Sequence, residues 1–308
     1  MKISTIKLPS GATTVAASLG DQVLDLNAAS RGELPPSMLA FLEMGDSAMA
    51  KAKALVADAK GGRAQSGLHK LSAVELLAPV PRPGKIIHAA CNFVSHLNEL
   101  TTWKAPEWQA HNWGKFHYEH PTGFLQAPSS VVGDATKVAP PRFTRQLDFE
   151  VEMATVIGRR CKNVSVENAL DYVAGYMVFN DLSARDIQAR EHANKVIMLG
   201  KSFDGSCPMG PWLTTRDEIA DPTVLGMKLI VNGEVRQNSS TTHMRYKPAE
   251  LVSWWSQTTL EPGDVLTSGS PPGVAAGMDV PRWLKPGDRV EAVVDGLGTL
   301  TTHIVEAA

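Results

Sequence analysis

No stretch restricts the folding of this chain as tightly as LDFEVEMATVIG, residues 147–158. Its apolar and acidic residues alternate, and a period of two is that of a β-strand with one face turned to a core. Such a strand carries Glu150 and Glu152 on one face and Phe149, Val151 and Met153 on the other. Neighbouring carboxylates repel and are costly to desolvate. A strand that presents two together is therefore either solvated on that face or built to hold a cation or share a proton. This segment alone leaves both readings open.

The rest of the chain has the same character of short strands between turn formers. KISTIKL, TTVAAS and QVLDL alternate and are separated by Ser10-Gly11 and Gly20-Asp21, which predicts a small antiparallel sheet at the start. A helix is predicted from Pro36, interrupted near Gly45-Asp46 and continuing through Leu55 and Val56. Glycines at 61 and 62 and the later PRPGK place a boundary between residues 62 and 84. This divides the chain into a small N-terminal α+β domain, 1–75, and a larger β-rich domain, 80–308. In the larger unit KIIHAA reads as a strand and GYMVFN as a strand delivering Asp181. Ser183 and Asp186 have the spacing of a capping box for a short helix SARDIQARE. Asn232-Gly233 marks a hairpin, Pro248 opens a helix with Trp254 and Trp255, and Asp295-Gly296 turns the last hairpin. Residues 101–120, with three tryptophans and three histidines and no periodicity, read as a functional loop or lid.

Charge and cysteine usage narrow the partners. With 30 basic and 32 acidic residues, the chain gives no electrostatic reason to expect nucleic acid or an anionic membrane, and a small molecule becomes the expected partner. No apolar run approaches the length of a membrane-spanning helix, and the N-terminus lacks the apolar core of a signal peptide. Cys91, Cys161 and Cys207 are odd in number and in no CxxC pattern, which points to a reducing cytoplasm.

Three constellations carry chemistry. Glu150, Glu152 and Asp181 are all oxygen donors, so an ion held by them is hard: magnesium, manganese or calcium. Asp181 would serve equally as a helix cap. His96 and Glu99 are i and i+3 on a helical turn, where the carboxylate orients the imidazole as in a general base, although such pairs also arise on ordinary surface helices. Lys201, Arg185 and Gln188 supply cations and an amide beside the acidic set, either to hold a substrate carboxylate or simply to balance its charge. His111, His117 and His120 are unordered in spacing and fit solvated loop residues better than a metal site. SGSPPGVAAG matches no nucleotide fingerprint and reads as a tight loop whose amides and Ser270 hydroxyl line a site.

Taken together, NFVSHLNE, DFEVEMATVIG, YMVFNDLSARDIQ, GKSFDGSCPMGPW, LIVNGEVRQ, LEPGDVLTSGSPPGV and LKPGDRVEAVVDGLGTL resemble the fumarylacetoacetate hydrolase family, in its order and spacing from about Lys85 onward. The resemblance implies a mixed β-roll or sandwich-like catalytic domain, a homodimer, and one Mg2+ or Mn2+ per subunit at Glu150, Glu152 and Asp181. It further implies His96 and Glu99 as a water-activating dyad, Lys201 as a catalytic cation, and Arg185, Gln188 and Ser270 as substrate contacts. The expected activity is hydrolytic carbon-carbon cleavage of a 2,4-dioxo acid of the acylpyruvate or fumarylpyruvate type, in aromatic or related carbon catabolism. The alternatives are decarboxylation, hydration or tautomerisation of related 2-oxo acids on the same centre, and non-catalytic binding of a dioxo acid. Gln126 stands where lysine is common in the family, Phe93 replaces a frequent tyrosine, and residues 100–122 are longer than in shorter relatives.

Overall fold

The computed structural model describes residues 1–63, 66–109 and 119–307. Strand-rich α+β architecture was the expectation, and it is what the chain forms. One large sheet runs as a hydrogen-bonded path from Leu68–Lys70 through Gln22–Asp25, Thr13–Ser18, Lys2–Lys7, Cys207–Thr215, Val173–Asn180, Val151–Ile157, Val265–Thr267 and Ile86–Ala89 to Gly123–Gln126. A second sheet of five strands orders Glu234–Ser240, Gly226–Val231, Arg289–Val294, Gly298–Ile304 and Thr136–Val138. Met227, Leu229, Val290 and Ala292 of the second sheet share a core with Val151, Met153 and Val178 of the first, so the two pack face to face.

The carboxylate strand lies at the centre of this arrangement, paired on one side with Val173–Asn180 and on the other with Val265–Thr267. Every residue from Val151 to Ile157 is buried, which excludes the solvated-face reading. Phe149, Val151 and Met153 enter the core between the sheets. Ala154 and Val156, on the opposite face, pack against the N-terminal part of the chain. Glu150 and Glu152 sit on that same face, one step beyond the apolar packing.

The N-terminal strands do not form a sheet of their own. Lys2 and Ile3 pair with Thr214 and Leu213 across more than two hundred residues, and Ile3, Val15 and Phe41 join Ala154, Met177 and Phe179 in one core. The interrupted helix is present as Met38–Glu43 and Asp46–Lys60, broken at Gly45 with φ +62°. Asn232 and Gly233 both take positive φ in the hairpin turn, as a two-residue type I′ connection requires. The helix after Asp181 runs Arg185–Ala193, but the predicted capping box does not form. Ser183 is drawn into a bridge with Asp148, and Asp186 instead accepts from Thr144 Oγ1 at 2.5 Å and the Arg145 amide at 2.9 Å. Tertiary partners here outcompete the local cap. In the first part of the expected loop, Trp103 and Trp108 are buried with Leu100, Val274 and Ala276. His111 and His117 lie outside the described residues, and His120 stacks on Trp254 at 4.3 Å. Among the described residues no helix is long and apolar enough to cross a membrane.

Candidate active site

Three strand ends and two loops converge on a cavity of about 510 Å³. Glu150 and Glu152 come from the carboxylate strand. Asp181 follows Asn180 at the end of the neighbouring strand, its amide donating to the Glu150 carbonyl at 2.9 Å. All three carboxylates are at most 5% exposed. The structure brings the three together with Lys201, whose Nζ donates to Glu150 Oε2 at 2.8 Å and Asp181 Oδ2 at 2.6 Å.

Arg185 is buried behind the cluster. It donates through Nε to Asp148 Oδ2 at 2.8 Å, through one terminal nitrogen to Glu150 Oε1 at 2.6 Å and through the other to Gln188 Oε1 at 2.9 Å. The guanidinium is thereby directed at protein oxygens, while Gln188 and Ser270 line the cavity. Asp148, which sequence reasoning passed over, is fully buried and also accepts from the Ala275 and Ala276 amides at 2.8 and 3.1 Å. The same alternation that singles out Glu150 and Glu152 includes it, and this was the available signal.

Electrostatics follow from that inventory. Burial opposes the charge on Glu150, but Lys201, Arg185 and His96 outweigh it and hold its carboxyl well below the usual range. At Glu152 burial together with Asp181 and Glu150 outweighs the opposing Thr267 hydroxyl and Lys201 and pushes its carboxyl well up. Burial raises Asp181 to about 7, with Lys201 opposing and Glu150 adding to the shift. Among the described residues, Asp148, Glu150, Glu152 and Asp181 are met at hydrogen-bond distance by two full cations, Arg185 and Lys201, a formal surplus of two negative charges when all four are ionised, on side chains at most 5% exposed. A divalent cation matches that surplus, and oxygen-rich donors match a hard ion, so the residues fit the metal that the sequence implied. Among the described residues, the donors that converge most closely belong to His88, Glu152 and Asp181, all within 4.8 Å of one another. His88 was read only as part of a strand; a single polar residue in a four-residue apolar run gives no other signal.

Across the cavity, the helix Val94–Leu100 presents the dyad. Glu99 Oε2 lies 3.0 Å from His96 Nδ1, and its other oxygen accepts from the Gly273 amide at 2.7 Å. A carboxylate facing Nδ1 fixes the proton there and leaves the Nε2 lone pair for chemistry. That nitrogen points to the acidic cluster, 3.8 Å from Glu150 Oε1. The loop 268–277 serves both sides: the Gly269 amide donates to Glu152 at 3.0 Å, and Gly277 leaves room for Glu99, whose Cγ would lie 2.0 Å from any Cβ placed there. Gln237 donates to Ser270 Oγ at 2.9 Å and anchors the loop to the Val151 amide. The arrangement can hold a cation, orient an acidic substrate and carry a proton on one face of it.

Residues 85–305 match the family profile described as fumarylacetoacetate (FAA) hydrolase, C-terminal. The chain is similar to a mitochondrial oxaloacetate tautomerase of Xenopus laevis, 39% identical over 289 residues covering 93% of this chain and 83% of that protein. An oxaloacetate tautomerase of Bacillus subtilis is 35% identical, with 92% and 93% covered. Among solved structures, a maleylpyruvate hydrolase from Sphingobium sp. SYK-6 superposes with a TM-score of 0.75 at 26% identity, covering both chains completely.

Proposed function

Because the chain belongs to the fumarylacetoacetate hydrolase family, whose members are enzymes, we propose that it interconverts the keto and enol forms of a 2-oxo dicarboxylic acid of the oxaloacetate type. The observation that carries this reading is an oriented proton carrier, His96 held by Glu99, facing the acidic cluster through Nε2. Relatives named as oxaloacetate tautomerases match over nine-tenths of the chain and support the choice of substrate class.

Glu150, Glu152 and Asp181 would hold one Mg2+ or Mn2+ per subunit. When bound, such an ion supplies a Lewis acid that polarises the 2-oxo group. His96 Nε2 removes a proton from C3 of the substrate, the C3–H electron pair forms the C2–C3 double bond as the carbonyl π pair moves onto the C2 oxygen, and that oxygen then takes the same proton back from the imidazolium. Glu99 steadies the imidazolium formed in between. Lys201, kept cationic because Asp181 and Glu150 outweigh its burial, stabilises the negative charge developing at that oxygen. Gln188 and Ser270 position the substrate carboxylates, and Arg185 acts by fixing Glu150.

Hydrolysis of an acylpyruvate is the second reading, favoured by the fit of the same dyad to water activation and by the likeness to a maleylpyruvate hydrolase. Incubation of the cation-supplemented protein with oxaloacetate and with a set of acylpyruvates, followed by NMR, separates the two. Tautomerisation leaves the carbon skeleton intact; hydrolysis yields two fragments with a new carboxylate. Cleavage of acylpyruvates without acceleration of oxaloacetate tautomerisation would overturn the first reading. The free thiols Cys161 and Cys207 suit a reducing cytoplasm. The homodimer belongs to the same proposal, and sedimentation velocity giving the monomer mass at micromolar concentration would remove it.

A further inference from the structure

We propose that His88 is itself a ligand of the divalent ion, through Nδ1, and that it turns this centre toward transition metals. The inference rests on reading the carboxylate cluster as a cation site, but not on which reaction that site performs.

Gln126 fixes the tautomer of His88. The Gln126 Nε2 faces the Lys201 carbonyl, Asp181 Oδ1 at 3.4 Å and Ser206 Oγ at 3.3 Å. A carbonyl and a carboxylate only accept, so the amide nitrogen belongs on that side and Oε1 on the other. Oε1 then lies 2.5 Å from His88 Nε2, and an amide oxygen in that place requires Nε2 to carry the hydrogen. Nδ1 is left with its lone pair. The ring has little freedom to turn: it stacks on Phe124 at 4.7 Å with planes 8° apart and meets Phe179 edge-on at 5.3 Å. The strand Ile86–Ala89 is held on both sides, His88 registering with Thr267 and with Phe124.

His88 Nδ1 is 3.4 Å from Asp181 Oδ2, with both side chains at most 2% exposed. The Thr267 hydroxyl is 3.1 Å from Nδ1, but it also serves Glu152 and has one hydrogen for two acceptors. Electron pairs from His88, Glu152 and Asp181 therefore face a common volume, with donor atoms within 4.8 Å of one another. With the donors drawn in by a few tenths of an ångström, a cation about 2.0–2.2 Å from each would satisfy all three. The outer N–H held by an oxygen acceptor is also how ligating histidines are oriented. An imidazole among oxygens lifts affinity along the series Mg2+, Mn2+, Co2+, because nitrogen suits the later ions. The oxygen-only donor set read from the sequence is thus enlarged by one nitrogen.

The test uses the full chain and Mn2+ or Co2+ alone. Pulsed EPR of the Mn2+-loaded protein is expected to show coupling to a directly bound nitrogen that disappears in His88→Gln and persists in His96→Gln. By titration, His88→Gln should lower Co2+ affinity by about tenfold or more while changing Mg2+ affinity by about threefold or less. Gln126→Leu keeps the ligand and frees its tautomer, so it should weaken Co2+ binding by about tenfold with the nitrogen coupling retained. Thermal unfolding checks that each variant is folded, and Gln126→Leu carries the affinity test if His88→Gln is not. Mn2+ binding by the parent protein without nitrogen coupling would overturn the assignment of His88 and leave the cation site standing. Failure to bind any divalent ion would overturn both.

Discussion

At the scale of single residues, the site is governed by an imbalance of buried charge. Glu152 is the clearest case: it is 2% exposed, it accepts one backbone amide, and it faces two other carboxylates without a cation of its own. Glutamine is neutral, as the buried carboxyl itself prefers to be, so the substitution removes the cost of protonating that carboxyl on folding and takes one anionic donor from the ion. The account predicts that Glu152→Gln weakens divalent-ion binding and at the same time raises the Tm of the chelator-treated protein by about 2–4 °C, the equivalent of about 1 kcal/mol. A lower Tm in chelator would mean that Glu152 is compensated in a way the charge inventory misses. Glu150, Glu152 and Asp181 were legible in the sequence because alternation and a strand end carry local signals. The fixing of Arg185 by Asp148 was not, since those residues are separated by 37 positions and meet only through the fold. His88 was invisible for the same reason: its meaning comes from Gln126 and Asp181, neither of which is its neighbour in the chain.

At the scale of elements, the helix Val94–Leu100 and the loop 268–277 act as one unit, because Glu99 is gripped by the loop that also holds Glu152. Gly277 is the point of closest approach. A Cβ there would stand 2.0 Å from Glu99 Cγ, so Gly277→Ala must displace the carboxylate that orients His96. Turnover is expected to fall by about 10²–10⁴-fold, the usual contribution of a positioned acid-base group, while Mn2+ affinity stays within about threefold. Unchanged turnover would show that Glu99 does not need its place beside His96. The i, i+3 spacing revealed the dyad in the sequence, but the loop's part in it depends on a contact 174 residues away. The capping box after Asp181 shows the opposite failure, a local signal overridden by Thr144 and Asp148.

For the whole molecule, the N-terminal strands complete the sheet that carries the site. Lys2–Lys7 covers an edge of Cys207–Thr215, and Val15 and Phe41 cover the apolar face behind Ala154 and Val156. We take residues 1–75 as a domain by sequence that is integral by packing. A chain of residues 80–308 alone would expose that edge and core, so it is expected to aggregate or to unfold at a much lower temperature than the full chain. A truncated chain with full thermal stability and metal affinity would contradict the shared core. The arrangement as a whole, a buried surplus of negative charge opposite one oriented imidazole, is read here as a centre for moving a proton beside a 2-oxo group. Stopped-flow observation of the decay of enol oxaloacetate tests that claim most directly. Mn2+-loaded protein should accelerate it, and both chelation and His96→Gln should abolish the acceleration. Equal acceleration by the parent, the chelated protein and His96→Gln would contradict the account.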